Sequence, residues 1–142
     1  LQAAAGLMRR QGGGAIVNVA SIAGKRMSYS GDAAYTASKS AVLGLTRHAA
    51  FELAADGIRV NAVCPGPTLT PMITRTLGAE RIAAVARTVP MGRWVQASDI
   101  ANAIEFLATD ASAMCTGIAL DVDGGVLVSN GSAYADYFAA RQ

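Results

Sequence analysis

Three short runs of apolar, largely β-branched residues recur along the chain and predict three β-strands. They lie near Ala15 to Ala20, Ile58 to Val63 and Ile118 to Val122. The segments between them carry apolar residues at helical spacing, and they are long enough for crossovers between parallel strands. The pattern predicts an α/β fold with three parallel strands and flanking helices.

The longest helical pattern runs from Ala33 to Asp56, with Asp32 as its predicted N-cap. Apolar residues recur in it every three to four positions, so we expect one stripe to face the sheet. The members of this stripe are Ala34, Ala37, Ala41, Leu45, Ala49 and Leu53.

Shorter helical patterns complete the predicted layers. Leu1 to Gln11 reads as the end of a helix. The three glycines at 12–14 then form a turn, because a phosphate-binding loop would run from a strand into a helix, not from a helix into a strand. Pro71 to Arg93 predicts one or two short amphipathic helices, and Ile100 to Thr109 predicts another helix, capped by Ser98 and Asp99.

Composition narrows the class of protein. The chain has 142 residues, 52% of them apolar, and a net charge of +2 without a basic block, which argues against nucleic acid or anionic membrane as partners. No apolar run approaches the roughly 18 residues of a membrane span. Cys64 and Cys115 are not spaced as metal ligands or as a redox pair, so we expect free thiols and a cytoplasmic protein.

Tyr35 and Lys39 are the residues that carry most chemical information. They are four positions apart in the long helix, so their side chains share one face. A free tyrosine hydroxyl ionises only near pH 10 or so, and a nearby positive charge favours the ionised form. The pair is therefore suited to acid/base catalysis.

The context of this pair resembles the short-chain dehydrogenase/reductase family. A Ser-x-x-Gly follows the first strand at Ser21 to Gly24, and Tyr-x-x-x-Lys follows at Tyr35 to Lys39. Gly57 to Gly66 reads Gly-Ile-Arg-Val-Asn-x-Val-x-Pro-Gly, with a threonine five positions after the proline. Asp121 to Gly125 supplies the terminal Asp-Val-Asp-Gly-Gly, so the resemblance spans nearly the whole chain.

The resemblance implies that residues 1–142 are the C-terminal catalytic half of one Rossmann-type, doubly wound parallel domain. In the family, a glycine-rich Thr-Gly-x-x-x-Gly-x-Gly turn, an Asn-Asn-Ala-Gly segment and a catalytic asparagine precede the part that this chain resembles. We therefore expect the nucleotide-binding N-terminal half to be absent from the chain.

The resemblance also implies a reaction, hydride transfer between a nicotinamide cofactor, NAD or NADP, and a small alcohol or ketone. Tyr35 would then donate the proton, Ser21 would orient the substrate oxygen, and Lys39 would act on Tyr35 and hold the cofactor ribose. The segment that contacts the rest of the cofactor would consist of Pro65, Gly66, Thr68 and Thr70.

Each of these residues also has a purely structural interpretation. Ser21 could cap the following turn, Thr70 could cap the helix that begins at Pro71, and Pro65 with Gly66 could form an ordinary turn. Ser21 and Tyr35 are fourteen positions apart, where the family commonly has thirteen, so a reshaped loop could bring Ser28 or Ser30 to the substrate instead.

Contacts between subunits are a further expectation. By the resemblance, small residues at Ala37, Ala41 and Gly44 would admit a partner's helix in a homodimer or homotetramer, although core packing explains them nearly as well. The lone His48 lacks the neighbours of a catalytic triad and is expected at solvent or at a subunit contact. The aromatic tail, Asn130 to Gln142, is a second candidate for such a contact.

Two functions remain open from the sequence. The first is an NAD(P)-dependent oxidoreductase of which this is the catalytic half, and Ser21, Tyr35 and Lys39 favour it. The second is a truncated or non-catalytic relative that acts as a binding or assembly module, because hydride transfer needs a cofactor site.

Overall fold

The computed structural model describes residues 1–28, 30–129 and 133–141. Its strands are β1 (Gly14–Val19), β2 (Ile58–Pro65) and β3 (Ala119–Val122). Its helices are α1 (Gln2–Gln11), α2 (Ala33–Leu53), α3 (Pro71–Thr76), α4 (Ala79–Thr88), α5 (Ala97–Ala108) and α6 (Tyr134–Ala139). The predicted order of strands and helices up to β3 is confirmed. The boundaries differ by at most three positions, except that the helical segment predicted to reach Arg93 ends at Thr88.

The three strands form one parallel sheet in the order β1-β2-β3. β1 pairs with β2 from Gly14 opposite Ile58 to Val19 opposite Val63. β2 is central, and its residues 60–64 have no exposed surface. The predicted Rossmann-type α/β fold, with parallel strands and helices around them, is therefore confirmed.

The helices cover both faces of the sheet. On one face, Ile58 and Val60 of β2 pack in a core cluster with Leu53 of α2 and Ala5 of α1. On the other face lies α5, whose Leu107 is fully buried. Arg59 fixes the end of α5, since its guanidinium donates to the Leu107 carbonyl at 2.8 Å, where a cation suits the helix dipole.

The stripe of α2 that faces the sheet differs from the prediction. Ala49 and Leu53 are buried as expected, but the other four predicted members are exposed, and Leu45 is 52% exposed. The buried side includes Thr46 instead, because its hydroxyl accepts from Asn18 at 2.9 Å and donates to the Val42 carbonyl at 2.8 Å. Burying a threonine hydroxyl costs little free energy when the hydroxyl keeps its hydrogen bonds. The prediction from apolar spacing alone was therefore wrong about which face of α2 is buried.

The predicted helix ends are only partly correct. Asp32 caps α2 as expected, accepting the Tyr35 N–H at 2.8 Å. The cap of α5 was predicted wrongly, since this helix begins at Ala97 and not at Ile100. Asp99 lies in its first turn and accepts the backbone N–H of Gln96 at 2.8 Å, which satisfies a donor at the helix start.

The segment after β2 forms two short helices, α3 and α4, of the one or two that the sequence allowed. Trp94 anchors the second one, because its indole N–H donates to the Ile82 carbonyl at 2.8 Å and its ring is 7% exposed. No helix in the described part of the chain is long and apolar enough to cross a membrane.

Candidate active site

Ser21 lies at the carboxyl end of β1 and is 9% exposed. It is the N-cap of a single 3₁₀ turn, Ile22–Gly24, which we call the serine turn. Its Oγ accepts the Ala23 N–H at 3.1 Å. The capping role predicted as an alternative is thus present, and it leaves the hydroxyl proton of Ser21 available for donation.

The serine turn packs closely against α2. A β-carbon at Gly24 would lie 2.8 Å from the Lys39 carbonyl oxygen and 2.9 Å from Leu43 Cδ1, so only glycine allows this approach. The Ser40 hydroxyl donates to the Gly24 carbonyl at 3.1 Å. These contacts fix the turn that carries Ser21 against the helix that carries Tyr35 and Lys39.

Tyr35 and Lys39 share one face of α2, as the four-residue spacing predicted. The Lys39 ammonium is 5.7 Å from the centroid of the Tyr35 ring, within reach of a cation–π interaction. It also donates to the Val19 carbonyl at 3.3 Å. Because Val19 ends β1 two residues before Ser21, Lys39 lies at the strand end that Ser21 follows. Tyr35 is 41% exposed.

The other serines of this loop make local contacts. Ser28 Oγ accepts the backbone N–H of Ser30 at 3.3 Å and that of Gly31 at 2.8 Å. Gly31 lies against Tyr35, since a β-carbon there would be 2.5 Å from the tyrosine ring. The loop therefore supports the position of the Tyr35 ring, and the Ser28 hydroxyl shapes the loop.

Pro65 and Gly66 lead out of β2 at the same edge of the sheet. The Gly66 N–H donates to the Val122 carbonyl at 2.9 Å. A β-carbon at Gly66 would lie 2.7 Å from Cα of Asp123. Close packing of two chain segments therefore requires glycine here.

Thr68 and Thr70 both have structural hydrogen bonds. The Thr68 hydroxyl donates to the Gly66 carbonyl at 3.0 Å. Thr70 caps α3, accepting the Ile73 N–H at 3.4 Å. These local hydrogen bonds fix the orientation of both hydroxyl groups.

Sequence reasoning missed the contacts that bind β3 to this edge. The Lys25 ammonium lies 2.6 Å from Asp121 Oδ1 and donates to the Ala119 carbonyl at 2.9 Å. Asp123, which is 7% exposed, accepts the N–H groups of Gly125 and Leu127, both at 2.8 Å. No periodic or motif signal links Lys25 to residues more than ninety positions later, whereas Asp before Gly-Gly is a recognisable turn pattern.

Cys64 is fully buried beneath these groups and Cys115 is half-buried, both as free thiols. Burial raises the pKa of the Cys64 thiol, and the nearby Lys25 ammonium opposes that effect. Among residues 1–28, 30–129 and 133–141, no three His, Cys, Asp or Glu side chains are grouped to hold a metal ion.

An open cleft of about 380 Å³ lies beside this edge, between the end of β3 and the segment that follows α4. Arg93 and Asp99 line it as an ion pair at 2.6 Å, and the Arg93 hydrogen bond lowers the pKa of Asp99 to about 2. None of Ser21, Tyr35 and Lys39 lines this cleft. The Arg93, Asp99 and Asp121 side chains that line the cleft form ion pairs within the protein. The candidate active site is therefore the carboxyl end of β1, near Val19.

Known proteins resemble the chain over most of its length. The family model described as enoyl-(acyl carrier protein) reductase matches residues 1–127. The chain is 48% identical over 123 residues to a 3α-hydroxysteroid dehydrogenase from Mediterraneibacter gnavus, covering 87% of this chain and 48% of that protein. It is 44% identical over 123 residues to a 3-oxoacyl-(acyl-carrier-protein) reductase from Synechocystis, covering 86% and 48%.

A solved structure agrees with these sequence relatives. The gluconate 5-dehydrogenase from Burkholderia cenocepacia, in complex with NADP and tartrate, is 32% identical with a TM-score of 0.82, over 90% of this chain and 50% of that one. The chain spans about half the length of the curated relatives it matches. Since the family model covers residues 1–127 and the parallel sheet agrees with it, the chain belongs to the short-chain dehydrogenase/reductase family.

Proposed function

We propose that this chain is the catalytic part of an NAD(P)-dependent oxidoreductase that acts on a small alcohol or carbonyl compound. The observation that carries the proposal is the position of the Lys39 ammonium, between the Tyr35 ring and the Val19 carbonyl. One cation thereby connects the candidate acid to the strand end that Ser21 follows. Family membership supports the reaction class.

The chemistry assigned to each residue follows from what a reacting carbonyl requires. Negative charge develops on the carbonyl oxygen during reduction, so the site needs a proton donor and a second hydrogen-bond donor. Tyr35 is the proton donor, because it carries the hydroxyl on the face of α2 that Lys39 shares. Ser21 is the second donor, because its Oγ accepts from Ala23 and keeps its own proton for the substrate.

The donor set of this edge fits a nicotinamide dinucleotide. Lys39 would hold the ribose hydroxyls, and the segment of Pro65, Gly66, Thr68 and Thr70 would contact the nicotinamide side of the molecule. When bound, the cofactor supplies or accepts the hydride. Relatives solved with NADP support this choice, and NAD remains equally compatible with the residues of this half.

The remainder of the cofactor site would come from a nucleotide-binding half like that of the longer relatives. The alternative function is a non-catalytic module that binds or assembles without turnover. The similar proteins include a hydroxysteroid dehydrogenase and a gluconate dehydrogenase, which differ in substrate. We therefore propose the substrate only as a class, a small alcohol or ketone.

Assembly through α2 is part of the proposal. The side of α2 that faces away from the sheet carries the predicted contact residues, of which Ala37 and Ala41 are exposed and Gly44 is half-buried. Phe51 of the same helix is 85% exposed. Such a surface fits a homodimer or homotetramer. His48 lies on this exposed helix and pairs with Glu52 at 3.2 Å. In the tail, Tyr137 is 45% exposed, whereas the side chains of Tyr134 and Phe138 lie outside the part that the structure describes. A cytoplasmic location remains our expectation.

The experiment that tests this proposal follows deuterium from the reduced cofactor to the alcohol product. The protein should contain this chain together with a nucleotide-binding half, from its full coding region or by fusion to the N-terminal half of a relative. With NADH or NADPH deuterated at C4 and a panel of ketones, we expect deuterium at the carbinol carbon of the product. Cofactor binding without any deuterium transfer across the panel would favour the non-catalytic module.

A further inference from the structure

Lys25 links the serine turn to β3, and the reaction scheme above gives it no role. Its ammonium is 2.6 Å from Asp121 Oδ1 and donates to the Ala119 carbonyl at 2.9 Å. The side chains of Lys25 and Asp121 are 29% and 36% exposed, so water screens the pair only partly. Such a pair holds its partners more firmly than a fully exposed one.

The serine turn depends on contacts outside itself. It has only three residues, and a single helical turn is not stable alone. On one side, Gly24 packs on α2 and receives the Ser40 hydrogen bond. On the other side is Lys25, whose backbone N–H closes the turn on the Ile22 carbonyl at 2.9 Å before its side chain extends to β3.

The Lys25–Asp121 pair also lies beside the central strand, close to Cys64. The Cys64 thiol lies within the electrostatic reach of both Lys25 and Asp121. Cys64 is opposite Asp121 in the sheet register and is fully buried. The Lys25 side chain is therefore anchored at the carboxyl ends of β2 and β3.

We propose that Lys25 is a positioning residue for the reaction proposed above, on which this inference rests. By joining the serine turn to Asp121 and Ala119, it holds the Ser21 hydroxyl in one place relative to Tyr35. Arg26 provides a second link, donating to the Val126 carbonyl at 3.3 Å. Loss of Lys25 therefore loosens the turn without releasing it.

The first measurement separates kcat from KM in the protein that contains both halves. Lys25→Met should lower kcat by about tenfold, because small displacements of a catalytic group reduce the rate strongly, and should leave the KM for the cofactor unchanged. Lys25→Arg should restore most of kcat, since guanidinium also pairs with carboxylate. The matched control is Arg9→Met, which removes the 2.7 Å pair with Asp56 at the opposite end of the strands and should leave kcat unchanged.

The second measurement asks whether Lys25 acts through Ser21. In a Ser21→Ala background, Lys25→Met should cause no further loss of kcat, because the hydroxyl that it positions is gone. A tenfold loss in both backgrounds would overturn the proposal, and so would an equal loss in Arg9→Met. If Ser21→Ala itself loses no activity, or if no variant transfers hydride, the proposed function fails instead.

A third measurement does not need turnover. Amide hydrogen exchange at Ala23 and Gly24 should become about tenfold faster in Lys25→Met, while exchange in β2 stays unchanged. Arg9→Met should not affect these two amides. Unchanged exchange at both amides in Lys25→Met would overturn the positioning role whether or not the protein is an active oxidoreductase.

Discussion

The Lys39 ammonium donates a hydrogen bond to the Val19 carbonyl at 3.3 Å and thereby joins the second turn of α2 to the carboxyl end of β1. Carboxyl ends of parallel strands are where ligands bind in open α/β sheets. Both neighbours of that point are candidate catalytic residues, Ser21 two positions after Val19 and Tyr35 one turn before Lys39. This contact places the Lys39 ammonium at the end of the strand that Ser21 follows.

Replacing Tyr35 by Phe should remove the proton donor and keep the ring that packs on Gly31. In the protein that contains both halves, turnover should fall by two to four orders of magnitude, about 3 to 5 kcal/mol in activation free energy. The dissociation constant of the cofactor should barely change, as titration of cofactor fluorescence would show. Near-native turnover would exclude Tyr35 as the acid.

Replacing Lys39 by Ala should weaken cofactor binding and turnover together, because the ammonium is assigned both to the ribose and to Tyr35. Steady-state kinetics and a binding titration measure the two effects separately. Arg47→Ala is the control, since it removes an exposed cation from the same helix. Loss of turnover with unchanged cofactor affinity would contradict the assignment to the ribose.

Glycine at position 24 should be essential for the fit of the serine turn. Gly24→Ala places a β-carbon 2.8 Å from the Lys39 carbonyl oxygen, and overpacking of this kind costs about 1 to 3 kcal/mol in the free energy of unfolding. Gly6→Ala is the matched control within helix α1, where the new β-carbon meets nothing within 4 Å. It should stabilise by about 0.5 to 1 kcal/mol. Urea denaturation measures both, and equal effects would refute the packing argument.

The Arg93–Asp99 pair should make stability depend on acid pH. The Arg93 hydrogen bond, followed by the Gln96 N–H, lowers the pKa of Asp99 from 3.8 to about 2. A carboxylate with a lowered pKa in the folded state stabilises the fold above its unfolded pKa, and this contribution disappears as pH falls toward the folded pKa. Asp99→Asn should therefore lower the denaturation midpoint at pH 7.

The difference between Asp99→Asn and the unmodified chain should narrow as the pH falls from about 4 to about 2, the interval between the unfolded and folded pKa values of Asp99. Arg93→Gln should show the same dependence, because it removes the other member of the pair. A difference that stays constant over this range would mean that Asp99 acts only through the shape of its side chain.

The 142-residue chain on its own should associate with itself. β1 and β3 are the edges of a three-stranded sheet, and Val19 at the end of β1 is 51% exposed. Unpaired strand edges promote association between chains. Sedimentation velocity over a range of concentrations should show species larger than the monomer. A monomer with a cooperative melt would contradict this expectation.

The sequence by itself determined the order of elements, the α/β class and the identity of the candidate residues. These depend on local patterns, namely β-branched runs, helical spacing and the four-residue interval between Tyr35 and Lys39. Asp32 was recognised as a cap for the same reason, since capping acts within three residues.

Only the tertiary structure decided which side of α2 is buried and what holds the serine turn. Both sides of α2 are rich in apolar residues, and Thr46 is buried because Asn18 of another element satisfies its hydroxyl. Lys25 reaches Asp121 only after the chain has folded back over β2. Partners so distant along the chain leave no periodic signal, because their contact arises from the packing of complete elements and not from the spacing of neighbouring residues.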